Sequence, residues 1–194
     1  MTEPSTKRAI VFIDGQNLYH CAKGAGFCRE PDYDAHQLAA ELCRLNQWAL
    51  EGVRFYTGIA NPQRLPRLFN AWQAKLNRME AKGVVTTTRP LRYDRDGQAH
   101  EKGIDVRIAL DVVHLGRLGF YDIGVIISQD QDLREAVHEL RDISKSQKQW
   151  IKLASTFVEN LAEPHRNRGI YDTQWLKIDK ALYESTREKV PFYQ

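Results

Sequence analysis

At 194 residues, 42% apolar and 27% charged, the chain has the size and composition of one soluble globular domain. No apolar run approaches the roughly 20 residues of a membrane helix, and the polar stretch from Met1 to Arg8 lacks the apolar segment of a secretory leader. The formal charge of +3 and a pI near 8.7 admit a polyanionic partner without requiring one. Cys21, Cys28 and Cys43 are odd in number and match no paired zinc spacing, which points to reduced structural thiols in a cytoplasmic protein.

The first element is Ala9-Ile10-Val11-Phe12-Ile13, an apolar run that ends abruptly in Asp14-Gly15-Gln16-Asn17. It reads as a buried parallel strand, expected at the centre of an α/β sheet. Ligands of such sheets bind at the carboxyl ends of the strands, where the strand order reverses. Asp14 is therefore a candidate site residue, with Gly15 permitting a tight turn and Asn17 able to bond backbone or carboxylate. The plainer alternative is a strand-to-loop turn without chemistry. Leu18 to Pro31 reads as a connection with no clean periodicity. Asp34 is placed to cap a helix over Ala35 to Asn46, with Leu38, Leu42 and Leu45 on one face. Val53 to Thr57 is the second predicted strand, and Asn61-Pro62 breaks the chain.

Leu68, Phe69, Trp72, Leu76 and Met79 recur at helical spacing from Leu65 to Ala81, and Gly83 closes that helix. A third strand, Val84 to Thr88, leads into Arg89-Pro90-Leu91-Arg92-Tyr93, and Asp94 to Gly97 forms a turn. Lys102-Gly103-Ile104-Asp105 opens a helix with Ile104, Ile108, Val112 and Leu115 inward, ended by Gly119. Ile123 to Ser128 is a second near-continuous apolar strand running into acid, Gln129-Asp130-Gln131-Asp132. A helix from Leu133 to about Ile143 and a fifth strand, Trp150 to Ala154, follow. The tail carries Ile170, Tyr171, Trp175, Leu176 and Ile178, too much apolar surface for a free tail, and a last helix is expected around Tyr183 to Arg187. Strands alternating with amphipathic helices predict a three-layer α/β/α sandwich with a mainly parallel central sheet.

Asp14 and Asp130 thus end the two most apolar strands, and Asp105 and Asp132 open helices beside them. Ends of neighbouring strands lie about 5 Å apart. Carboxylates gathered there repel one another unless a cation intervenes, and hard ions such as Mg²⁺ and Mn²⁺ take oxygen ligands of this kind. Such a site supports in-line hydrolysis of a phosphodiester. Each acid also has an ordinary reading: Asp130 or Asp132 as a helix cap, Asp132 with Glu135 as a capping box, Asp105 as a first-turn acid favoured by the helix dipole. Asp111, roughly 240° round the axis from Asp105, is assigned to structure.

Phe12-Ile13-Asp14-Gly15-Gln16-Asn17, Lys102-Gly103-Ile104-Asp105-Val106 and Ile126-Ile127-Ser128-Gln129-Asp130-Gln131-Asp132-Leu133 resemble, in order and spacing, the three motifs of the NYN domain family. The resemblance is to its bacterial branch with LabA-like proteins, within the PIN-like nuclease group. It spans about residues 8 to 160, and Arg168 to Asp179 is similar to the C-terminal stretch of these proteins. The resemblance implies a PIN-like fold over 8–160, with 161–194 as an extension packed on the same domain, and metal-dependent ribonuclease chemistry. By position it implies Asp14, Asp105, Asp130 and Asp132 as the catalytic Mg²⁺ or Mn²⁺ ligands, supported by Asn17 and Ser128. The third motif commonly reads Ser-Gly-Asp-x-Asp-Phe; here Gln129 stands for the glycine, adding a side chain expected to narrow access, and Leu133 for the phenylalanine.

Arg89, Arg92 and Lys102 lie near the predicted active edge, interleaved with Tyr93, and are candidates to hold the phosphates of single-stranded RNA. Pairing with Asp94, Asp96 and Glu101 is the structural alternative, and Arg64 to Lys82 reads as a solvated helix face. The scattered histidines suggest neither a zinc site nor a histidine-based nuclease, and no glycine-rich nucleotide loop is present. The leading reading is a metal-dependent endoribonuclease; a PIN-like module that binds RNA or protein without cutting is the alternative, and a homodimer is compatible with either. A haloacid dehalogenase-type phosphatase fits less well, because Asp14 is followed by Gly15-Gln16 where that fold wants Asp-x-Asp. A receiver domain is disfavoured by the position of Lys152.

Overall fold

A computed structural model describes residues 2–193; Met1, the first residue of the polar N-terminal stretch, and Gln194 lie outside them. The chain runs β1 (Arg8–Asp14), α1 (Gly15–Gly24), α2 (Ala35–Leu45), β2 (Ala49–Ile59), α3 (Pro66–Ala81), β3 (Val85–Pro90), β4 (Arg92–Tyr93), β5 (Ala99–His100), α4 (Ile104–Arg117), β6 (Ile123–Ile127), α5 (Arg134–Ser146), β7 (Lys152–Val158), β8 (Gln174–Ile178) and α6 (Lys180–Ser185). Six strands form one sheet in the order β3-β2-β1-β6-β7-β8, every neighbouring pair parallel. The short β4 and β5 make a separate antiparallel hairpin.

Helices cover both faces, so the central strands are apolar at every position rather than alternating. Along β1, Ala9, Val11 and Ile13 pack with Leu18, Leu38, Leu42 and Trp72 of α1 to α3. Ile10 and Phe12 pack with Ile104, Ile108 and Val112 of α4 and with Val137 and Leu140 of α5. Asp14 continues the second set, so its carboxylate faces the layer that contains α4.

The structure departs from the sequence reading in several places. The stretch after β1 is a helix, not an irregular connection. Asp14 caps it by accepting the Asn17 N–H at 3.0 Å, and its periodicity is faint because only Gly15, Leu18 and Ala22 are buried along it. Gly15 is needed for closeness rather than for a turn: a Cβ there would lie 2.4 Å from the Phe55 ring. The fifth strand lies two residues later than expected and runs on to Val158, through Ser155 and Thr156, which are buried although polar. Finally, the tail supplies β8 as the sheet's edge strand, with Leu176 and Ile178 buried and Trp175 outward.

The solvated face expected from Arg64 to Lys82 is interrupted by Lys75, whose side chain is 0% exposed. Its ammonium donates to the Tyr33 carbonyl at 2.6 Å and meets Glu188 at 3.2 Å, and it lies 4.7 Å from the centre of the Tyr33 ring. Glu188 also pairs with Arg78 at 2.8 Å. Burial draws the Lys75 ammonium down to about 8 despite Glu188. The C-terminal segment is thereby fastened to α3, a bond reinforced by Phe192 on Trp72 at 5.2 Å.

Removing one partner of a buried ion pair strands the other. Glu188→Gln is expected to lower the unfolding free energy by about 3–5 kcal/mol. Lys75→Met should cost clearly less, because Arg78 still satisfies Glu188. Urea unfolding of both variants measures this; equal losses would mean that packing, not charge, holds Lys75.

Candidate active site

Sheet order reverses about β1: β2 and β3 lie to one side of it and β6, β7 and β8 to the other. The register pairs Ile13 with Ile127, so Asp14 and Ser128 emerge side by side at the carboxyl ends of these strands, the position where open α/β sheets bind ligands.

Asp14 is only 7% exposed. One oxygen accepts the Asn17 N–H and the other the Ser128 hydroxyl at 3.3 Å. Burial pushes its carboxyl up to about 6, and the charge of Asp130 adds to the rise, while these hydrogen bonds oppose it. Ser128 in turn accepts the Asp130 N–H at 3.2 Å. The Asn17 side-chain oxygen accepts the Gln129 N–H at 3.0 Å, joining the ends of β1 and β6. Asn17 and Ser128 thus hold Asp14 and its neighbours in place.

Asp130 has the capping role weighed from sequence with one of its oxygens: it accepts the Asp132 N–H at 3.0 Å and starts the 3-10 turn Gln131–Leu133. The capping box of Asp132 with Glu135 does not form, since α5 begins without a side-chain cap bond. Asp132 is exposed. With Asp105, in the first turn of α4, it borders a groove of about 420 Å³ between α4 and α5. Asp111 belongs elsewhere: it is buried with Tyr56, whose hydroxyl donates at 2.8 Å, and with Arg107 at 2.8 Å and Arg54 at 3.4 Å.

Sequence reasoning overlooks Glu101. Its carboxylate accepts the Gly58 N–H at the end of β2. A Cβ on Gly58 would collide with Leu91 and Glu101, so the bare backbone is what admits it. Burial pushes the Glu101 carboxyl up to about 7, with Asp14 and then Asp105 adding to the rise. The available signal is its place immediately before Lys102-Gly103-Ile104-Asp105, where on sequence it counts only as a counter-charge for arginines.

Asp130, Asp14, Glu101, Asp105 and Asp132 therefore form a chain of carboxylates rather than a closed ring. Among the described residues no three His, Cys, Asp or Glu side chains converge on a single metal position. Ions of the magnesium type need no such cage; they keep waters, use one or two carboxylates and take their remaining oxygens from substrate phosphate. An all-oxygen set of carboxylates, with Asp14 buried and Glu101 half-buried among them, fits such an ion.

Arg89, Arg92 and Lys102 line a common groove of about 520 Å³ with Pro90, Leu91, Gly103 and Val106. The alternative pairings do not form: Asp94 is 3.0 Å from His100, and Glu101 is turned to Gly58. Among the described residues no carboxylate pairs with any of these three cations. Gln129 also departs from expectation. Its amide points away, donating to the carbonyls of Arg166 at 2.9 Å and Arg168 at 3.2 Å and accepting the Val158 N–H at 3.0 Å.

A family model described as the NYN domain matches residues 8–156. The chain belongs to the NYN domain family. NYN domains are PIN-like nuclease or RNA-binding domains, and PIN-like nucleases typically use divalent metals. A crystal structure of a protein of unknown function from Vibrio parahaemolyticus superposes with a TM-score of 0.56 over 92% of this chain and 97% of that one. At 19% identity this likeness speaks for the fold alone. No curated protein matches the chain, and among the described residues no helix is long and apolar enough to cross a membrane.

The raised carboxyl of Asp14 sets a pH dependence in chelator. Its folded pKa of about 6 lies above the ordinary 3.8, so the folded state binds the extra proton. The stabilisation is complete below about 4 and is lost as the pH rises through about 6. Asp14→Asn removes this loss, so the melting temperature of the variant relative to the unmodified NYN domain should rise between pH 4 and pH 7. A difference constant across that range would mean that Asp14 ionises as it does in the unfolded chain.

Proposed function

We propose that this NYN domain is a metal-dependent endoribonuclease acting on single-stranded RNA, with Asp14, Asp105, Asp130 and Asp132 as the carboxylates that would hold Mg²⁺ or Mn²⁺. The observation that carries this reading is Asp14 itself: a buried acid at the carboxyl end of the central strand, its carboxyl raised by burial and by the charge of Asp130, and itself close enough to Glu101 to raise that residue's carboxyl. Uncompensated carboxylates in such a position cost stability, so their gathering speaks for a cation that binds them. When bound, that cation would activate water and neutralise charge on a phosphodiester.

The chain's own residues divide the remaining work. Asn17 and Ser128 fix the Asp14 carboxylate through its two oxygens. Arg89, Arg92 and Lys102 face a shared groove and would hold backbone phosphates on the β3 side of the acids. Glu101, with one oxygen on the Gly58 amide and a carboxyl near 7, can hold or release a proton at neutral pH beside Asp14.

Asp14→Asn is expected to cut the rate of RNA hydrolysis in Mn²⁺ or Mg²⁺ by at least about 100-fold, a loss in the range of a removed catalytic group, while folding and RNA binding persist. Cleavage within a fewfold of the unmodified protein would take Asp14 out of the site. Divalent metal should also raise the melting temperature, since it binds the folded chain alone, and the Asp105→Asn, Asp130→Asn double variant should lose that rise. Equal shifts in both proteins would place the metal elsewhere.

With Arg89, Arg92 and Lys102 all changed to alanine, RNA affinity in chelator should fall. Its log–log salt slope should become shallower by about 0.7 for each phosphate that is no longer neutralised. An unchanged slope would move the nucleic-acid path away from this groove and leave the acids standing. The second reading, a module that holds RNA without cutting it, is favoured by the open carboxylate chain. It predicts tight binding with no product in any metal.

A further inference from the structure

On the opposite flank of the acids from the Arg89 groove, the end of the loop between β7 and β8 and the start of β8 present two aromatic rings among arginines. Tyr171 and Trp175 are each 42% exposed, with ring centres 6.0 Å apart. The guanidinium carbons of Arg168 and Arg134 lie 5.7 and 5.9 Å from the Tyr171 ring centre, and Arg168 donates to the Tyr171 hydroxyl at 3.2 Å. Arg134 is neutralised by Asp172. Among the described residues no carboxylate pairs with Arg168, which leaves its charge available.

We propose that Tyr171, with Arg168 beside it and Trp175 next to it, is a stacking subsite for a base of single-stranded nucleic acid. The inference rests on the proposed nuclease reading for what lies next door, but concerns binding alone. An exposed ring on a mobile loop would carry little weight; Tyr171 is on a loop fixed by hydrogen bonds and Trp175 is on β8. Gln129 holds the carbonyls of Arg166 and Arg168. Gln131 donates to the Gly169 carbonyl at 3.1 Å and accepts the Tyr171 N–H at 3.1 Å. Ile170, fully buried, donates its N–H to Ser155 at 2.8 Å, and its carbonyl accepts the Trp175 indole N–H at 2.7 Å. A Cβ on Gly169 would lie 2.4 Å from the Ser155 hydroxyl, so the loop passes as closely as backbone allows.

The two glutamines that hold the loop flank Asp130 in sequence. The position of Tyr171 relative to the carboxylates is therefore set by side chains of the acidic segment itself. Gln129, which stands where the family commonly has glycine, acts here as a positioning residue. A rigid aromatic beside an unpaired guanidinium is the combination that holds single strands: the ring takes a base face of any identity and the arginine takes a phosphate or a second face. The Arg89 groove and the Tyr171 ring then bracket the acids, so one strand contacting both would cross the carboxylates.

The test is binding of a fluorescently labelled single-stranded RNA 12-mer in chelator, with an oligomer of the same length carrying abasic units as control. Tyr171→Leu should weaken RNA binding by about 5- to 150-fold, the range for removing one base–aromatic stack, and should leave abasic binding unchanged. Tyr171→Phe should bind RNA like the unmodified protein, since it keeps the ring and loses only the hydroxyl. RNA binding unchanged in Tyr171→Leu overturns the proposal, as does an equal loss on both oligomers, which would indicate altered charge or loop structure rather than stacking. Cleavage is scored separately in Mn²⁺: absence of ring-dependent binding with cleavage intact in the unmodified protein defeats this subsite alone. Ring-dependent binding without any cleavage defeats the nuclease reading alone. No binding by any of the proteins overturns both.

Discussion

The structure turns on one carboxylate held at the end of the central strand. Asp14 caps α1 through the Asn17 N–H and bonds Ser128 across the point where the strand order reverses. Asn17, fixed by that cap, reaches on to the Gln129 N–H. A single side chain therefore sets the start of one helix, the spacing of two strand ends and the direction in which the acidic segment leaves the sheet. Keeping a charge there is costly, as its raised carboxyl records. The cost is tolerable because two hydrogen bonds to the ionised form partly offset it.

How far the sequence reveals this depends on how each residue is buried. Strands covered on both faces leave an unbroken apolar signature, so Ala9 to Ile13 and Ile123 to Ile127 are legible, and so are the acids at their ends. Strand β7 is placed too early by its apolar residues because Ser155 and Thr156 are buried although polar, and Ser155 serves the Ile170 N–H and Thr173. Edge strand β8 shows only alternate burial, and its partner lies on the far side of a loop. Glu101 and Lys75 escape notice for one physical reason. A charged residue in a sequence looks solvated until the structure supplies its partner, here the Gly58 amide and the Tyr33 carbonyl with Glu188.

Gln129 illustrates how a departure from a family's pattern can mislead when only the sequence is considered. A side chain in place of glycine suggests obstruction of the acids. Instead its amide satisfies two carbonyls of the segment that follows β7 and the N–H of Val158 at the end of β7, a function no glycine could supply. The departure and the exposed aromatic segment therefore belong together: the residue that differs is one of those that fix the loop.

The electrostatics of the edge favour a division between holding and cutting. A net charge of +3 is too small to draw a polyanion in by itself, and at physiological salt screening confines each charge to about 8 Å. Attraction of the proposed nucleic acid would therefore have to come from nearby cations. Ones that pair with no carboxylate among the described residues lie on the flanks, Arg89, Arg92 and Lys102 on one side and Arg168 on the other. The centre, with Asp14, Glu101 and Asp130, repels phosphate. A strand gripped on both flanks, as proposed, would be held against a local repulsion that a cation, or protonation of the raised carboxyls, would relieve. Binding energy gained at the periphery would then be available to bring a phosphodiester where it would not go unaided, which is the sense in which remote contacts assist a reacting centre.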